Sequence, residues 1–565
     1  MIEIDKIDNK KILIKADDKI IKKIDNYFSR YVDNYKFIEK VRQGLWDGKK
    51  RFLNYDHSMS ITLLYDLKEF LELNKLKYKI NFSYEGKLDK NKFKNWLSKN
   101  LDLPFEPREY QFKMAYDILK YKNVLAESLT GSGKSLVANI IFRTMIHLNK
   151  KCILIVPSIN LLYQMLSDFK NDYNWKDADD YIQLMGDTFT DKDFTKTIII
   201  TTWQSLRAKR YKKFEESFRQ NSLVSQDKLK MVKLQVKEKV KKFKVKNAIK
   251  LLRTFKSYFK NFDDMILDIV NYEKKIIEDF KMIDCIICDE VHKVKGASIQ
   301  NILHLSSNAE YILGMTGTVD SKEKLSVLEL KSLYGRHLIY NTYPELIENK
   351  IINDFCVNIV TINYPLHFKE EFYRETSENW RDEYYFLSKI QERNKIIEDI
   401  INSHENSGII IYDFIEEGDN FLEYFKDKLI DCKVFWMDGK RKKDIKKLKE
   451  IKEMTEKIVI FGTDKTIGTG LNLPNLDFGI SVSTTSDSKS IRQKIGRIIR
   501  RSKFKSKCSQ FYDINDNMCY QKGNRVKINR CIEHSEIRRE IYKKYKIKVA
   551  EKTLDAYIKE EDKLF

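Results

Sequence analysis

Residues 126–135, AESLTGSGKS, are the stretch on which the reading of the fold turns. The phosphate-binding pattern G-x-x-x-x-G-K-[S/T] asks for glycine where this chain has Ser128. Gly131, Gly133, Lys134 and Ser135 stand where phosphate chemistry needs them. Glycines let backbone N–H groups curl around phosphates, the lysine adds a point charge, and the serine hydroxyl can ligate Mg²⁺. The first position contributes least to that cradle. The apolar run NVLA precedes the loop and LVANIIFRTMIHL follows at helical spacing, so the loop is expected to join a strand to an anion-favouring helix N-terminus. Taken alone, a chance Gly/Ser turn would read the same way.

The chain outward from this loop is an alternation of strands and helices. NVLA, CILIVP, TIIITT, IDCIICDE and AEYILGMTGT are short apolar runs separated by helical segments, the pattern of a parallel sheet with crossover helices. Each run ends in polar, small or acidic residues, and functional groups in such folds gather at the carboxyl ends of strands. A second series, GIIIYDF, KVFWMDG, KIVIFGT, FGISVSTT and SQFYDI, predicts a second layer of the same kind. At 565 residues the chain exceeds one core and suggests about three or four domains. The expected division is a small α/β domain over 1–100, an α/β domain over 101–340, a second over 341–515 and a basic helical tail over 516–565. A lysine-rich helical insertion interrupts the first α/β domain at about 207–282, with apolar residues at helical spacing in LKMVKLQVKEKVKKFKV. Its basic face reads either as a solvated surface or as a grip on DNA.

A net charge of +22 and a sequence pI of 9.2 point to a polyanionic partner, although lysine excess can also follow genome base composition. No apolar run reaches the roughly 20 residues that span a bilayer, and MIEIDKIDNKK has no signal-peptide core, so a cytoplasmic protein is expected. Cys285 and Cys288 lie three apart on an apparent strand and face opposite sides, which disfavours zinc or a disulfide. Near the start, YKFIEKVRQGLWDGKKRFLNY crowds Arg42, Trp46, Lys49, Lys50 and Arg51 around a D-G turn. That is a hairpin able to touch nucleic acid, or one in which Trp46 is the core anchor of the small domain.

Two further motifs give the loop a context. DEVH ends an apolar strand, placing Asp289 to hold Mg²⁺, usually through water, and Glu290 to orient or deprotonate an attacking water. In the second layer IRQKIGRIIRR contains Gln493, Gly496, Arg497 and Arg500; the arginines are expected at i, i+3 on one helix face, as fingers toward a γ-phosphate.

Across about 105–515 these motifs, in this order, resemble superfamily 2 DExH helicases and translocases. REYQ, with Arg108 and Gln111, resembles the adenine-recognising segment, and SLTGSGKS resembles motif I, where a small residue other than glycine is common at the first position. IVPSINLLYQM and TTWQSL resemble strand-contacting motifs, DEVH motif II, MTGT motif III, GTDKTIGTGLNLPNLD motif V and QKIGRIIR motif VI. The N-terminal aromatic, basic W-D-G stretch and the C-terminal INRCIEHSEIRREIYKKYKIKV look like those of UvsW-type phage recombination helicases.

The resemblance implies two tandem RecA-like parallel-sheet motor domains that sandwich ATP, with a small N-terminal α/β domain and a helical insertion. ATP would be held by Arg108, Gln111, Thr130, Gly131, Ser132, Gly133, Lys134, Ser135 and Gly468, and Mg²⁺ by Ser135 and Asp289. Catalytic roles fall to Lys134, Asp289, Glu290, Gln493, Arg497 and Arg500, and coupling roles to His292 and Thr318. Pro157, Gln164, Thr202, Gln204, Thr316 and Thr469, with Trp46, would contact nucleic acid, mostly at its backbone. The implied function is an ATP-dependent DNA helicase or translocase acting on branched DNA, in branch migration, fork regression and R-loop removal. Its partners would be DNA, branched or double-stranded with single-stranded regions, and RNA–DNA hybrids. It would act as a monomer without membrane attachment, in the host cytoplasm if phage-encoded. An RNA or transcript-release helicase, an ATP-gated DNA clamp and a restriction motor are the alternatives.

Overall fold

The computed structural model describes residues 1–556 except 130, 187–193, 242–244, 294–296, 318, 320–322, 377–379, 442–449, 452–453, 455, 468–472, 474, 484, 503–504 and 523–524. Two compact units are present: Met1–Ser128 with Gly133–Tyr340, and Leu129–Ser132 with Asn341–Phe565.

The first unit contains a seven-stranded sheet, all of whose pairings are parallel. From edge to edge its strands are Arg336–Ile339, Asn123–Glu127, Tyr311–Thr316, Cys285–Cys288, Cys152–Val156, Ile198–Thr202 and Ile182–Met185. The five runs read as strands are all here; the two edge strands were not read. Alternate residues enter separate cores. Val124, Leu154, Ile200, Ile287 and Leu313 face one layer, and Leu125, Ile153, Ile199, Ile286 and Ile312 the other. A sheet buried on both faces is apolar throughout, which is why its central strands were legible. Cys285 and Cys288 fall into opposite cores and are free thiols, as a strand's two-residue period requires.

The insertion is helical. Trp203–Asn221, Gln226–Lys241, Val245–Arg253 and Phe262–Lys281 enclose a core of their own that includes Phe214, Phe218, Val232, Val236, Leu252 and Ile269. Leu229, Val232, Val236 and Val240 recur every three or four residues, the stripe one helix face buries. Among the described residues no helix is long and apolar enough to cross a membrane.

The N-terminal region has a four-stranded sheet in the order Ser58–Ser60, Lys11–Lys15, Ile2–Lys6 and Tyr78–Ile80, packed on the helices Asp18–Tyr27 and Leu64–Leu73 through Ile4, Ile14, Ile24, Leu67 and Leu71. The expected D-G hairpin is not what forms. Lys49–Arg51 pairs with the distant Ser29–Tyr31, and Gly48, at φ 77°, leads into that strand with its α-carbon against the Tyr35 ring. Two short helical turns, Tyr35–Phe37 and Glu39–Arg42, fill the intervening chain, so strand pairing spans a loop too long for a two-residue turn. Trp46 is half-buried, with its indole N–H donating to the Lys49 carbonyl at 3.1 Å, and is outside the buried core of this region.

The second unit has its own seven-stranded parallel sheet: Lys433–Met437, Ile458–Thr463, Gly408–Tyr412, Phe478–Ser481, Cys508–Asn517, Asp354–Asn363 and Val549–Asp555. The fold is thus two tandem RecA-like parallel-sheet domains with a small N-terminal α/β domain and a helical insertion.

The segment expected as a basic helical tail, 516–565, needs correction. Among its described residues are the long helix Arg530–Lys544, a two-stranded ribbon (Tyr520–Lys522 with Arg525–Lys527), and Val549–Asp555, the edge strand of the second sheet. The helix is tied down by buried charge. Arg538 Nε donates to Asp513 Oδ2 at 2.9 Å and the Tyr542 hydroxyl to the same oxygen at 2.8 Å. Its surface lysines drew the reading toward a solvated tail, while the residues that anchor it are polar and buried.

Glu417 supplies a pH-dependent element of this unit. Its Oε2 accepts from the backbone N–H groups of Asp413 and Phe414 at 2.9 and 2.8 Å, capping the helix Ile415–Phe425. Burial, with the nearby Asp413 carboxylate, pushes its carboxyl up to about 8. A folded-state value above the ordinary one gives stability that is fully present below about 4.5 and lost as pH rises through about 8. Glu417→Gln removes this dependence. Its Tm relative to wild type is expected to rise by about 2–4 °C between pH 5 and pH 8.5, read by circular dichroism melts.

Candidate nucleotide and nucleic-acid site

The candidate residues of the first unit gather at the carboxyl edge of its sheet. Register aligns Thr316 with Glu127 and Thr202 with Val156, and Cys288, just before Asp289, with Ile155. The loops that follow these strand ends therefore emerge side by side.

The phosphate loop leaves the Asn123–Glu127 strand and enters the helix Lys134–His147. Gly131 and Gly133 have φ of 84° and 81°, where a side chain is strained. Ser128 is not among the described residues with positive φ, and it is fully buried. Its N–H donates to the Thr316 carbonyl at 2.9 Å and its own carbonyl accepts from Lys134 Nζ at 3.0 Å. Serine fits the first position because the backbone there is ordinary and both its N–H and its carbonyl are bonded within the site. Gln111 is buried at the start of the helix Glu109–Tyr121. Its Oε1 accepts from the Arg108 N–H at 3.0 Å, and its Nε2 lies where a Cβ on Gly133 would fall, at 2.4 Å. Arg108 is exposed.

Gly133→Ala therefore meets two obstacles, a left-handed backbone and the Gln111 amide. The expected outcome is a loss of roughly 1–2 kcal/mol in stability, seen in urea unfolding, together with weaker nucleotide binding.

Asp289 is buried and Glu290 half-buried at the end of the Cys285–Cys288 strand. Asp289 Oδ1 accepts from the Glu290 N–H at 2.9 Å, which holds Glu290 in a left-handed conformation at φ 49°. Strain of this kind, about 1–3 kcal/mol, persists where surrounding structure over-determines it. His292 Nδ1 lies 3.2 Å from Glu290 Oε2 and 2.8 Å from Thr316 Oγ1, so one imidazole nitrogen joins the acidic segment to the end of the Tyr311–Thr316 strand. For a cation, the Ser135 hydroxyl and the Asp289 carboxylate are hard oxygen donors of the type Mg²⁺ takes, few enough to leave positions for phosphate oxygens and water.

One partner of this site was missed in the sequence. The Tyr173 phenol lies 2.6 Å from Ser135 Oγ. Tyr173 is 7 % exposed, and burial pushes its phenol up to about 12. Nothing in NDYNW marks it, because the contact joins residues 38 apart in sequence.

The candidate nucleic-acid contacts divide. Pro157 and Gln164 are half-buried, after the Cys152–Val156 strand and on the helix Ile159–Ser167, and Gln204 is exposed. Thr202 is buried, capping the helix Trp203–Asn221 by accepting from the Ser205 N–H at 3.1 Å, and Thr316 is buried with its hydroxyl on His292. The structure thus gives these two hydroxyls internal partners, where the sequence reading expected them on a phosphodiester backbone. Thr130, Thr318, Gly468 and Thr469 lie outside the described residues.

In the second unit the helix Ser488–Ile498 carries Gln493, half-buried, and Arg497, buried. Arg500 corrects the expected i, i+3 pair: the helix ends at Ile498, and Arg500 forms a β-bridge with Ile352 beyond it. The cause is at the helix end. Lys505 Nζ donates to the carbonyls of Ile498 and, at 2.8 Å, Arg500, satisfying acceptors that a continued helix would have used. The two arginines therefore do not share a helical face.

Three family models match successive parts of the chain: "DNA helicase UvsW, N-terminal" over residues 2–83, "Type III restriction enzyme, res subunit" over 104–321 and "Helicase conserved C-terminal domain" over 392–502. The chain is 20 % identical to the ATP-dependent DNA helicase uvsW of Enterobacteria phage T4 over 512 residues, 87 % of this chain and 86 % of that protein. Among solved structures it is similar to T4 UvsW (19 % identity, 98 % of this chain and 100 % of that one, TM-score 0.44). It is also similar to the DEAD-box helicase Mss116 bound to ssRNA and UDP-BeF (14 % identity, 85 % of this chain and 82 % of that one, TM-score 0.50). With its phosphate loop, its DEVH segment and these matched regions in order, the chain is an ATP-hydrolysing enzyme of the helicase kind, similar to superfamily 2 helicases and, among them, to the UvsW-type helicases of phage recombination.

Proposed function

We propose that the protein is an ATP-dependent DNA helicase or translocase that remodels branched DNA in recombination, repair and replication, through branch migration, fork regression and R-loop unwinding. The observation that carries this reading is the N-terminal match to the UvsW N-terminal family directly ahead of two matched motor regions, on a chain similar to the T4 helicase along most of its length. The net charge of +22 supports a nucleic-acid partner.

The loop from Ser128 to Ser135 holds the phosphates of ATP, with Lys134 leaving the Ser128 carbonyl for them. Ser135 and Asp289 would hold Mg²⁺, which would supply charge neutralisation to the phosphates. Glu290 orients the attacking water and takes its proton as the terminal phosphoryl group is transferred to that water and ADP departs. Arg497 and Arg500, with Gln493, stabilise the charge that develops in transfer. His292 reports nucleotide state from Glu290 to Thr316. Pro157, Gln164, Gln204, Thr469 and Trp46 are assigned to nucleic acid; Thr202 and Thr316 shape the surface these groups present. The domain division is proposed at 1–100, 101–340 with the insertion at about 207–282, and from 341 onward, the helix Arg530–Lys544 and the edge strand Val549–Asp555 belonging to the domain of the second sheet, and the working form as a monomer in the host cytoplasm.

The test is unwinding of four-way junctions, forked duplexes, R-loops, unbranched DNA duplex and RNA duplex by wild type and Lys134→Ala. Branched substrates are expected to be opened at least tenfold faster than unbranched duplex, by the wild type alone. Equal rates across the panel would remove the branched-DNA assignment, and RNA duplex opened in preference to DNA would replace it with an RNA helicase.

A further inference from the structure

Ser135 is read above as the metal-binding hydroxyl of the phosphate loop, and the inference here rests on that reading. A serine hydroxyl has one proton and two lone pairs. If a lone pair goes to a cation, the proton must point to an acceptor, and a hydroxyl whose proton is misdirected turns the wrong side to the metal. In this structure Ser135 Oγ has a close neighbour of the right kind, the Tyr173 phenol oxygen at 2.6 Å. That is a short O–H···O distance, and a phenol both donates and accepts.

Tyr173 is held rather than loosely placed. It follows a π-helical turn, Asp168–Asp172, which extends the helix Ile159–Ser167, and its N–H donates to the Asp168 carbonyl at 3.1 Å. Such turns insert one residue into a helix and often occur at functional sites. The ring packs edge-on against Phe105 at 6.1 Å between centroids and tilted against Phe169 at 6.4 Å, and it belongs to the buried core beside the sheet. An ordinary core position would call for phenylalanine; here the aromatic ring brings its one polar atom to Ser135.

We propose that Tyr173 is a positioning residue for the metal-binding serine. Its phenol donates to Ser135 Oγ when no cation is bound, and its oxygen would accept a hydrogen bond from the Ser135 O–H when a lone pair of Oγ is turned to Mg²⁺. The nucleotide's own contacts with the loop do not pass through this hydrogen bond. Tyr173 should therefore affect the Mg²⁺-dependent part of nucleotide affinity and leave the metal-free part alone.

Calorimetric titration of a non-hydrolysable ATP analogue, in Mg²⁺ and in EDTA, tests this on wild type, Tyr173→Phe, Ser135→Ala and the double variant of the full chain. Tyr173→Phe keeps the ring and its packing, and melting curves establish that it folds. Its affinity is expected to fall about five- to tenfold in Mg²⁺ and to stay within about twofold of wild type in EDTA. The double variant should be no weaker than Ser135→Ala. Equal loss in both buffers would make Tyr173 a packing residue, and no loss, or tighter binding in Mg²⁺, would also overturn the proposal. The Ser135→Ala arm separates the two levels. If that variant keeps wild-type Mg²⁺ dependence, the reading of Ser135 fails and the proposal with it; if Ser135→Ala is impaired and Tyr173→Phe is not, only the role of Tyr173 fails.

Discussion

Lys134→Ala is expected to lower nucleic-acid-stimulated ATP turnover by about 10³-fold while leaving the fold intact. The side chain is half-buried and donates to the Ser128 carbonyl at 3.0 Å within the loop. Removing that bond costs on the order of 1 kcal/mol. The adjoining helix buries Leu136, Val137, Ile140, Ile141 and Phe142, none of which the substitution disturbs. Stability and activity should therefore separate: a melting temperature within a few degrees of wild type beside a nearly silent ATPase. A variant that loses turnover only in proportion to its loss of folded protein would show that the lysine serves the loop's structure and not the phosphates. Branch unwinding should disappear with the ATPase, because the remodelling proposed here is driven by hydrolysis.

The second large effect is expected at Arg497. A cation supplied to the transferring phosphoryl group contributes roughly 10³–10⁵ in rate in related systems, so Arg497→Ala should reduce turnover by at least about 10³-fold with nucleotide affinity changed far less. Arg497→Lys is a sharper test. A guanidinium offers a planar fork of donors and an ammonium does not, so lysine should recover little of the rate. Arg497 is 7 % exposed on a helix that also buries Ile491, Ile495 and Ile498, so its removal also carries a structural cost. Comparing the alanine and lysine variants at equal folded fraction isolates the chemical part. Arg500 stands on a different element, and its alanine variant is expected to add to the Arg497 effect rather than duplicate it. If both variants turn over ATP within tenfold of wild type, the second unit supplies no transition-state charge and the assignment of these arginines falls.

Several elements could be read directly because their physics is local. CILIV, IIITT and CIIC are buried on both sheet faces, which demands unbroken apolar runs. The edge strands escaped for the converse reason. Val549–Asp555 is largely exposed, with polar and charged residues interspersed, so its strand character comes from pairing with Asp354–Asn363, nearly two hundred residues earlier. The D-G turn misled because the same dipeptide serves a tight hairpin and the entry to a strand whose partner is remote.

The site divides along the same line. Gly133, Lys134, Ser135, Asp289, Glu290 and Arg497 are candidates legible from residue type and spacing, since phosphate cradles, acidic strand ends and paired cations leave short-range patterns. The sequence alone therefore determined the central strands of the two parallel sheets and which loops between them are candidates for phosphate chemistry. Only the tertiary structure decided that Gln111 abuts Gly133, that His292 ties Glu290 to Thr316, that Tyr173 reaches Ser135, and that Arg500 lies beyond the helix of Arg497. The first three depend on which strand ends and helix termini stand side by side, and the last on acceptors taken up by Lys505; long-range pairing sets both and no short window of sequence records it.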